Sequence, residues 1–258
     1  MLSDEQLLRY SRQILMPEFD IQGQLSLRNA TVLVVGLGGL GSPVALYLAG
    51  AGIGKLVLAD GDAVDLSNLQ RQIAHNSDDI GKNKAQSAAE SIAALNPEVE
   101  VEVLPQSLGE GDLSERVSAI DLVVDATDNY PVRYAINRAC IQAGIPMVSG
   151  SAIRSEGQVS VFDPVKGGPC YRCLYPVDGS HTALSCSESG VLAPLVGVVG
   201  SLLAMEAIKV LADYGTSLQG QLLLLDLRSM DVRKLTLPAR QGCPDCGHLQ
   251  VSPNPVNE

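Results

Sequence analysis

The stretch TVLVVGLGGLGSPVALYLAGAGIGKLVLAD, residues 31–60, decides the fold. It opens with a β-branched apolar run, continues as Gly36-Leu37-Gly38-Gly39-Leu40-Gly41, and turns at residues 42–50 to the Ala/Leu-rich pattern of a helix. A second apolar run, KLVLA at 55–59, ends on Asp60. Strand, glycine turn, helix, and a second strand closed by an acid make up a nucleotide-binding unit. The glycines let backbone N–H groups approach a phosphate at the positive end of the helix, and the acid accepts from ribose hydroxyls. Gly36, Gly38, Gly39, Gly41 and Asp60 are therefore candidate nucleotide-binding residues. The first reading such a unit suggests is an NAD(P)-dependent oxidoreductase.

Outward from this unit the alternation continues. KAQSAAESIAALNP, from Lys84, has helical composition and a proline stop; VEVEVL (99–104) and DLVVDA (121–126) read as strands, 131–143 as a helix, and IPMVSG (145–150) as another strand. The expected fold class is α/β, a Rossmann-like doubly wound, mostly parallel sheet. After residue 150 the pattern changes to GQVSVFDP, a Gly/Pro/Cys-rich segment, one long apolar helix near 194–212, and the runs QLLLLDL and VRKLTLP joined by RSMD as an antiparallel hairpin. With no repeat and no Pro/Ser-rich linker, we expect a single domain over 1–258. Its nucleotide-binding half spans about 1–150 and its second half about 151–250, with a tail at 251–258.

Composition narrows the function classes. Of 258 residues, 46% are hydrophobic and 18% charged, so the chain is globular; 18 Lys+Arg against 29 Asp+Glu give a net charge of −11, with no Trp and only two Phe. A basic, aromatic-rich surface for nucleic acid is not on offer. The charge-free stretch from Asn29 to Lys55 holds seven Gly and one Pro, and the apolar run Val191–Met205 is broken by Pro194 and two Gly, so both read as buried elements rather than membrane spans. MLSDEQLLRYSRQI carries early acids and no long apolar run, which predicts no targeting peptide and a cytoplasmic protein.

The residues after Asp60 weigh against hydride chemistry. GDAVDLSNLQRQ and GKNK place Asn68, Arg71, Lys82 and Lys84 shortly after the ribose acid, and such cations suit phosphoryl or nucleotidyl transfer. Asp125-Ala126-Thr127-Asp128-Asn129 follows a strand at the carboxyl edge where open α/β sheets bind ligands, and one of its carboxylates suits Mg²⁺. Six cysteines remain. Cys170-x-x-Cys173 and Cys243-x-x-Cys246 have the count and spacing of a closed tetrahedral Zn²⁺ site, which would staple the chain rather than catalyse, and which needs no help from His248. Cys140 falls in the apolar pattern of the 131–143 helix and is expected in the core. Cys186 lies in VDGSHTALSCSESG, which reads as a loop ahead of the long helix, where a thiol is open to activation.

Eight segments in chain order, RYSRQI (9–14), GLGGLG (36–41), LADGD (58–62), LSNLQRQ (66–72), DATDN (125–129), SGSAIRSEGQ (149–158), CYRC (170–173) and GVLAPLVGVVGSLLAMEAIK (190–209), resemble the bacterial MoeB/ThiF adenylyltransferases, relatives of the ubiquitin-activating enzymes. The resemblance runs from about residue 4 to residue 248. It implies ATP-dependent adenylation of the C-terminal glycine of a ubiquitin-like sulfur-carrier protein ending in Gly-Gly, giving an acyl-adenylate and pyrophosphate. A terminal carboxylate is ionised at pH 7 and attacks without a general base, in keeping with His75, His181 and His248 lying outside these ATP motifs.

By resemblance, Gly39 and Asp60 bind nucleotide together with Asn68 and Gln72. Arg71 and Lys84 contact phosphates, Lys84 being preferred over Lys82 on the family register alone, and Asp128 holds Mg²⁺ with Asn129 beside it. Arg12 is implied as a further transition-state cation supplied by the partner subunit of a homodimer, although in isolation it reads as a surface helix arginine. Cys186 matches a cysteine that forms an acyl disulfide with the carrier in ThiF-type relatives.

SGSAIRSEGQVSVF and the segment around the long helix look more like the molybdopterin-synthase type, whereas GCPDCG is equally at home in the thiamine (thiazole) type. No rhodanese-like extension follows Cys246, so a cysteine desulfurase or rhodanese-type donor is expected as a separate protein. The remaining alternatives are the oxidoreductase, which leaves Arg71, Lys84 and the DATDN acids without a task, and a non-catalytic zinc-stapled protein that only senses nucleotide.

Overall fold

The computed structural model describes residues 2–177 and 189–249. The glycine-turn unit forms as its sequence dictates: β1 (Thr31–Val35) enters the turn, α4 (Gly41–Ala51) leaves it, and β2 (Lys55–Ala59) returns parallel to β1, pairing Val35 with Ala59. Ahead of it lie three short helices, α1 (Asp4–Arg9), α2 (Ser11–Ile14) and α3 (Asp20–Asn29). The chain then runs α5 (Lys84–Leu95), β3 (Glu100–Leu104), α6 (Glu110–Arg116), β4 (Leu122–Asp125), α7 (Tyr130–Ala143), β5 (Met147–Ile153) and β6 (Glu156–Phe162). It closes with α8 (Tyr171–Leu174), the long α9 (Ala193–Ala212), β7 (Gln221–Asp226) and β8 (Asp231–Thr236).

The eight strands form one sheet in the order β3-β2-β1-β4-β5-β6-β7-β8. Pairing is parallel from β3 to β5 and antiparallel from β5 to β8, as the change of pattern after residue 150 predicts. β5 runs to Ile153, three residues beyond the expected strand, because β6 pairs with it down to Ile153–Glu156. Strand alternation divides the core. Val32 and Val34 point into one layer with α4, α5 and α9; Leu33 and Val35 point into the other with α6 and α7. α9 is apolar and long enough to span a membrane by length and composition, yet it packs on α3, α4, β5 and β6. The register brings Val35, Ala59 and Asp125 level at the carboxyl edge of the sheet, where the cleft opens.

Candidate active site

The cleft holds about 600 Å³ and is walled by the glycine turn, the end of β2, residues 68–72, Lys84, residues 107–108, the 126–133 segment and the end of β5. Two glycines explain its floor. Gly36 has φ +89°, and a Cβ there would lie 2.9 Å from the Ala126 carbonyl oxygen; a Cβ on Gly41 would lie 1.8 Å from the Gly36 carbonyl oxygen. Only bare backbone brings the turn that close to β4 and to itself. Gly38 and Gly39 then face the cleft at the amino end of α4. Asp60 ties the turn to β2: its carboxylate accepts from the Leu37 N–H (2.7 Å) and the Asp62 N–H (2.8 Å).

The cations are sorted by packing. Asn83 caps α5, accepting from the Ala85 and Gln86 N–H groups, while its own amide donates to the carbonyls of Asp60 and Asp62. That double anchorage sets Lys84 at the first helical position, buried against the cleft wall with Nζ 2.9 Å from Asp62. Lys82 turns away to Asp79 (2.8 Å) and Glu90 (2.6 Å), so the fold separates two lysines that only the family register distinguished in the sequence. Asn68, Arg71 and Gln72 line the same wall, Arg71 donating to the Ser67 carbonyl (3.1 Å). The Gln72 Oε1 is buried with no hydrogen-bond partner among the described residues, an acceptor available to a ligand.

The two acids of DATDN separate as well. Asp125 is fully buried and fully engaged, accepting from Ser149 Oγ (2.6 Å), Thr127 Oγ1 (2.7 Å) and the Thr127 N–H (3.1 Å), with Arg133 Nε at 3.7 Å. Asp128 is exposed on the cleft and makes no hydrogen bond or ion pair among the described residues, so it is the carboxylate free to hold a cation. Asn129 spends its Oδ1 on capping α7, accepting from the Val132 N–H at 3.0 Å. Arg12 is exposed on α2 and does not line its own chain's cleft. Cys186 and His181 lie outside the described residues.

Motif reading passed over several site residues. His75 is buried beneath the glycine turn, with Nε2 3.0 Å from the Leu37 carbonyl and Nδ1 2.8 Å from Ser87 Oγ; burial pushes its pKa down, which favours the neutral ring. Nothing in the local sequence separates Ser107, Leu108 and Arg133 from loop or helix surface. Asn83, before a helical run, carries a legible capping signal.

Away from the cleft, Cys170, Cys173, Cys243 and Cys246 bring their sulfurs within 4.8 Å of one another, with adjacent pairs at 3.9, 3.7 and 3.5 Å. Four thiolates at about 2.3 Å around a tetrahedral ion would stand about 3.8 Å apart, so the donor set fits a closed metal site. The pKa of Cys173 is lowered, chiefly by the hydrogen bond from Cys170, and its sulfur also accepts from the Arg240 N–H. Cys140 is buried in the core, where desolvation raises its pKa and leaves it inert. His248 has no place in the sulfur cluster.

Fold and cleft together are those of an α/β nucleotide-binding protein. The chain belongs to the ThiF family, whose model matches residues 10–245. Over 246 residues it is 46% identical to the molybdopterin-synthase adenylyltransferase of Escherichia coli (strain K12), covering 95% of this chain and 98% of that one. Over 252 residues it is 44% identical to the sulfur carrier protein ThiS adenylyltransferase of the same organism, covering 98% of this chain and 100% of that one. Among solved structures, E. coli MccB with MccA-N7isoASN aligns with a TM-score of 0.83 at 26% identity, covering 95% of this chain and 75% of that chain.

Proposed function

We propose that the protein adenylates the C-terminal glycine carboxylate of a ubiquitin-like sulfur carrier of the molybdopterin-synthase type. A carboxylate oxygen attacks the α-phosphorus of ATP, the bond from that phosphorus to the bridging oxygen of the β-phosphate breaks, and pyrophosphate leaves with the electron pair. No proton moves, so no general base is required. The observation that carries this reading is the convergence of Arg71 and Lys84 with the N–H groups of the glycine turn and Asp128, unpaired among the described residues, in one cleft. That array neutralises triphosphate charge and has no task in hydride transfer. Asp60 and Gln72 bind ribose and base-proximal groups, and Arg71 and Lys84 lie along the phosphates. Asp128 would hold Mg²⁺, which would supply neutralisation of phosphate charge.

Zn²⁺ fits the four-cysteine site as a structural ion, joining the segment at 170–173 to that at 243–246. The active form is a homodimer in which the partner contributes Arg12. Supporting this, Arg12 stands outside its own cleft on a surface that exposes Leu8 and Leu15, and α9 exposes Val198 and Met205. Cys186 serves later sulfur transfer, with sulfur from a separate cysteine desulfurase or rhodanese-type protein, in the cytoplasm.

A second reading, the thiamine-pathway carrier, is favoured by the nearly equal identity to the ThiS adenylyltransferase. Mg²⁺-dependent ATP–pyrophosphate exchange with each carrier, intact and lacking its terminal glycine, separates them. Exchange driven by the molybdopterin-synthase small subunit and lost without that glycine supports the proposal. Exchange with the thiazole-pathway carrier alone moves the protein to that pathway, and exchange with neither overturns the substrate.

A further inference from the structure

The four cysteines are only half of their two motifs. Of the residues between them, Tyr171 and Asp245 reach α7, the helix whose amino end carries the DATDN loop. The Asp245 carboxylate accepts from Arg172 Nη1 (2.7 Å) and from Asn137 Nδ2 (3.0 Å), and Asn137 Oδ1 accepts from the Tyr171 N–H (2.9 Å). Ile141, one turn further along α7, packs directly on the sulfur cluster. Both cysteine segments are thus fastened to the carboxyl half of α7.

A second link runs to the other end of the same helix. Tyr171 is 1% exposed, and its hydroxyl lies 3.5 Å from Arg133 Nη1, on the first turn of α7. Arg133, itself buried, donates through Nη2 to the carbonyl of Thr127 and, at 3.1 Å, to that of Gly150, while Asp125 stands beside its Nε. Burial opposes the guanidinium charge, but Asp125, Tyr171 and Tyr175 together outweigh it and keep the group charged. The Thr127 carbonyl belongs to the peptide group that leads into Asp128. Fixing that carbonyl therefore fixes where the free carboxylate of the cleft stands.

We propose that Tyr171 and Arg133 are positioning residues that make the cysteine knot a determinant of the cation site at Asp128, as well as a staple of the tail. The inference rests on the proposed role of Asp128 in holding Mg²⁺. α7 is 14 residues of continuous helix, rigid enough to carry the constraint from the cysteine segments to the loop.

The test uses the purified, metal-replete protein and the variants Tyr171→Phe, Arg133→Lys and the double variant. Mg²⁺ is titrated against ATP binding without carrier, and kcat and KM are measured in pyrophosphate exchange. Tyr171→Phe removes one hydroxyl and keeps the packed ring. It should raise the Mg²⁺ concentration for half-maximal ATP binding by about fivefold to tenfold and lower kcat similarly, with the carrier KM unchanged. Because both residues act on one carbonyl, adding Tyr171→Phe to Arg133→Lys should cost little more.

The inference is overturned if Tyr171→Phe binds Mg²⁺-ATP within about twofold of wild type, or if the two effects multiply. Should Arg133→Lys fail to fold, the Mg²⁺ titration of Tyr171→Phe decides alone. If wild-type ATP binding does not depend on Mg²⁺, the role of Asp128 fails first, a result distinct from failure of the link.

Discussion

Replacing Lys84 with Met tests the charge array at its most buried member. The Lys84 side chain is 9% exposed and its partner Asp62 is 74% exposed. An ammonium about 4 Å from a phosphate oxygen that gains a unit charge is worth about 4 kcal/mol at an effective dielectric of about 20. Moving from Asp62 to the phosphate returns little of this, since an exposed partner holds the lysine with no more than about 1 kcal/mol. The remaining ~3 kcal/mol corresponds to a loss of roughly 10²-fold in kcat/KM. Folding stability should stay within about 1 kcal/mol, because Met keeps the aliphatic packing and Asp62 is left in water. The assay is ATP–pyrophosphate exchange beside thermal unfolding, with Lys82→Ala as control. Lys82→Ala should retain wild-type exchange, since its partners Asp79 and Glu90 lie outside the cleft. A Lys84→Met enzyme within about fivefold of wild type, with its fold intact, would refute the charge argument.

Gly41→Ala places a Cβ 1.8 Å from the Gly36 carbonyl oxygen, and it should cost about 3 kcal/mol or more in urea unfolding and abolish ATP binding. Unchanged unfolding would show that the turn relaxes freely. His75 has its pKa lowered by burial, so the unfolded chain takes up a proton that the folded chain refuses; its contribution to stability is present above about pH 6.5 and falls away as the pH drops below that value. Unfolding free energy measured from pH 7.5 to 5.5 should decline, with a shallower slope in His75→Gln. Metal analysis should find one zinc per chain, and Cys243→Ser should lose it together with several kcal/mol of stability; zinc retained at full occupancy would remove Cys243 from the site. Arg12→Ala and Lys84→Met, each strongly impaired alone, should regain about a quarter of wild-type activity when their subunits are mixed, since half the dimers then hold one intact site. No recovery would place Arg12 outside the partner's cleft.

What the sequence determined by itself was local. The β-branched run into GLGGLG, the helix that follows and the acid closing KLVLA are set by backbone sterics and hydrophobic period within thirty residues, and the structure reproduces them almost residue for residue. The two CxxC pairs were legible because four soft ligands at that spacing have few other uses, though their meeting across the chain had to be seen. The third amino-terminal helix was not legible: α3 buries Gly23 and Gln24 as well as Leu27, so it carries little hydrophobic period.

Family register aside, tertiary structure separated Lys84 from Lys82 and Asp128 from Asp125, and it alone set His75 under the glycine turn and Arg133 behind the cation loop. The first two are elections between chemically equal side chains. The outcome depends on which partner the packed fold brings within hydrogen-bonding distance, and that distance is a property of contacts far apart in the chain.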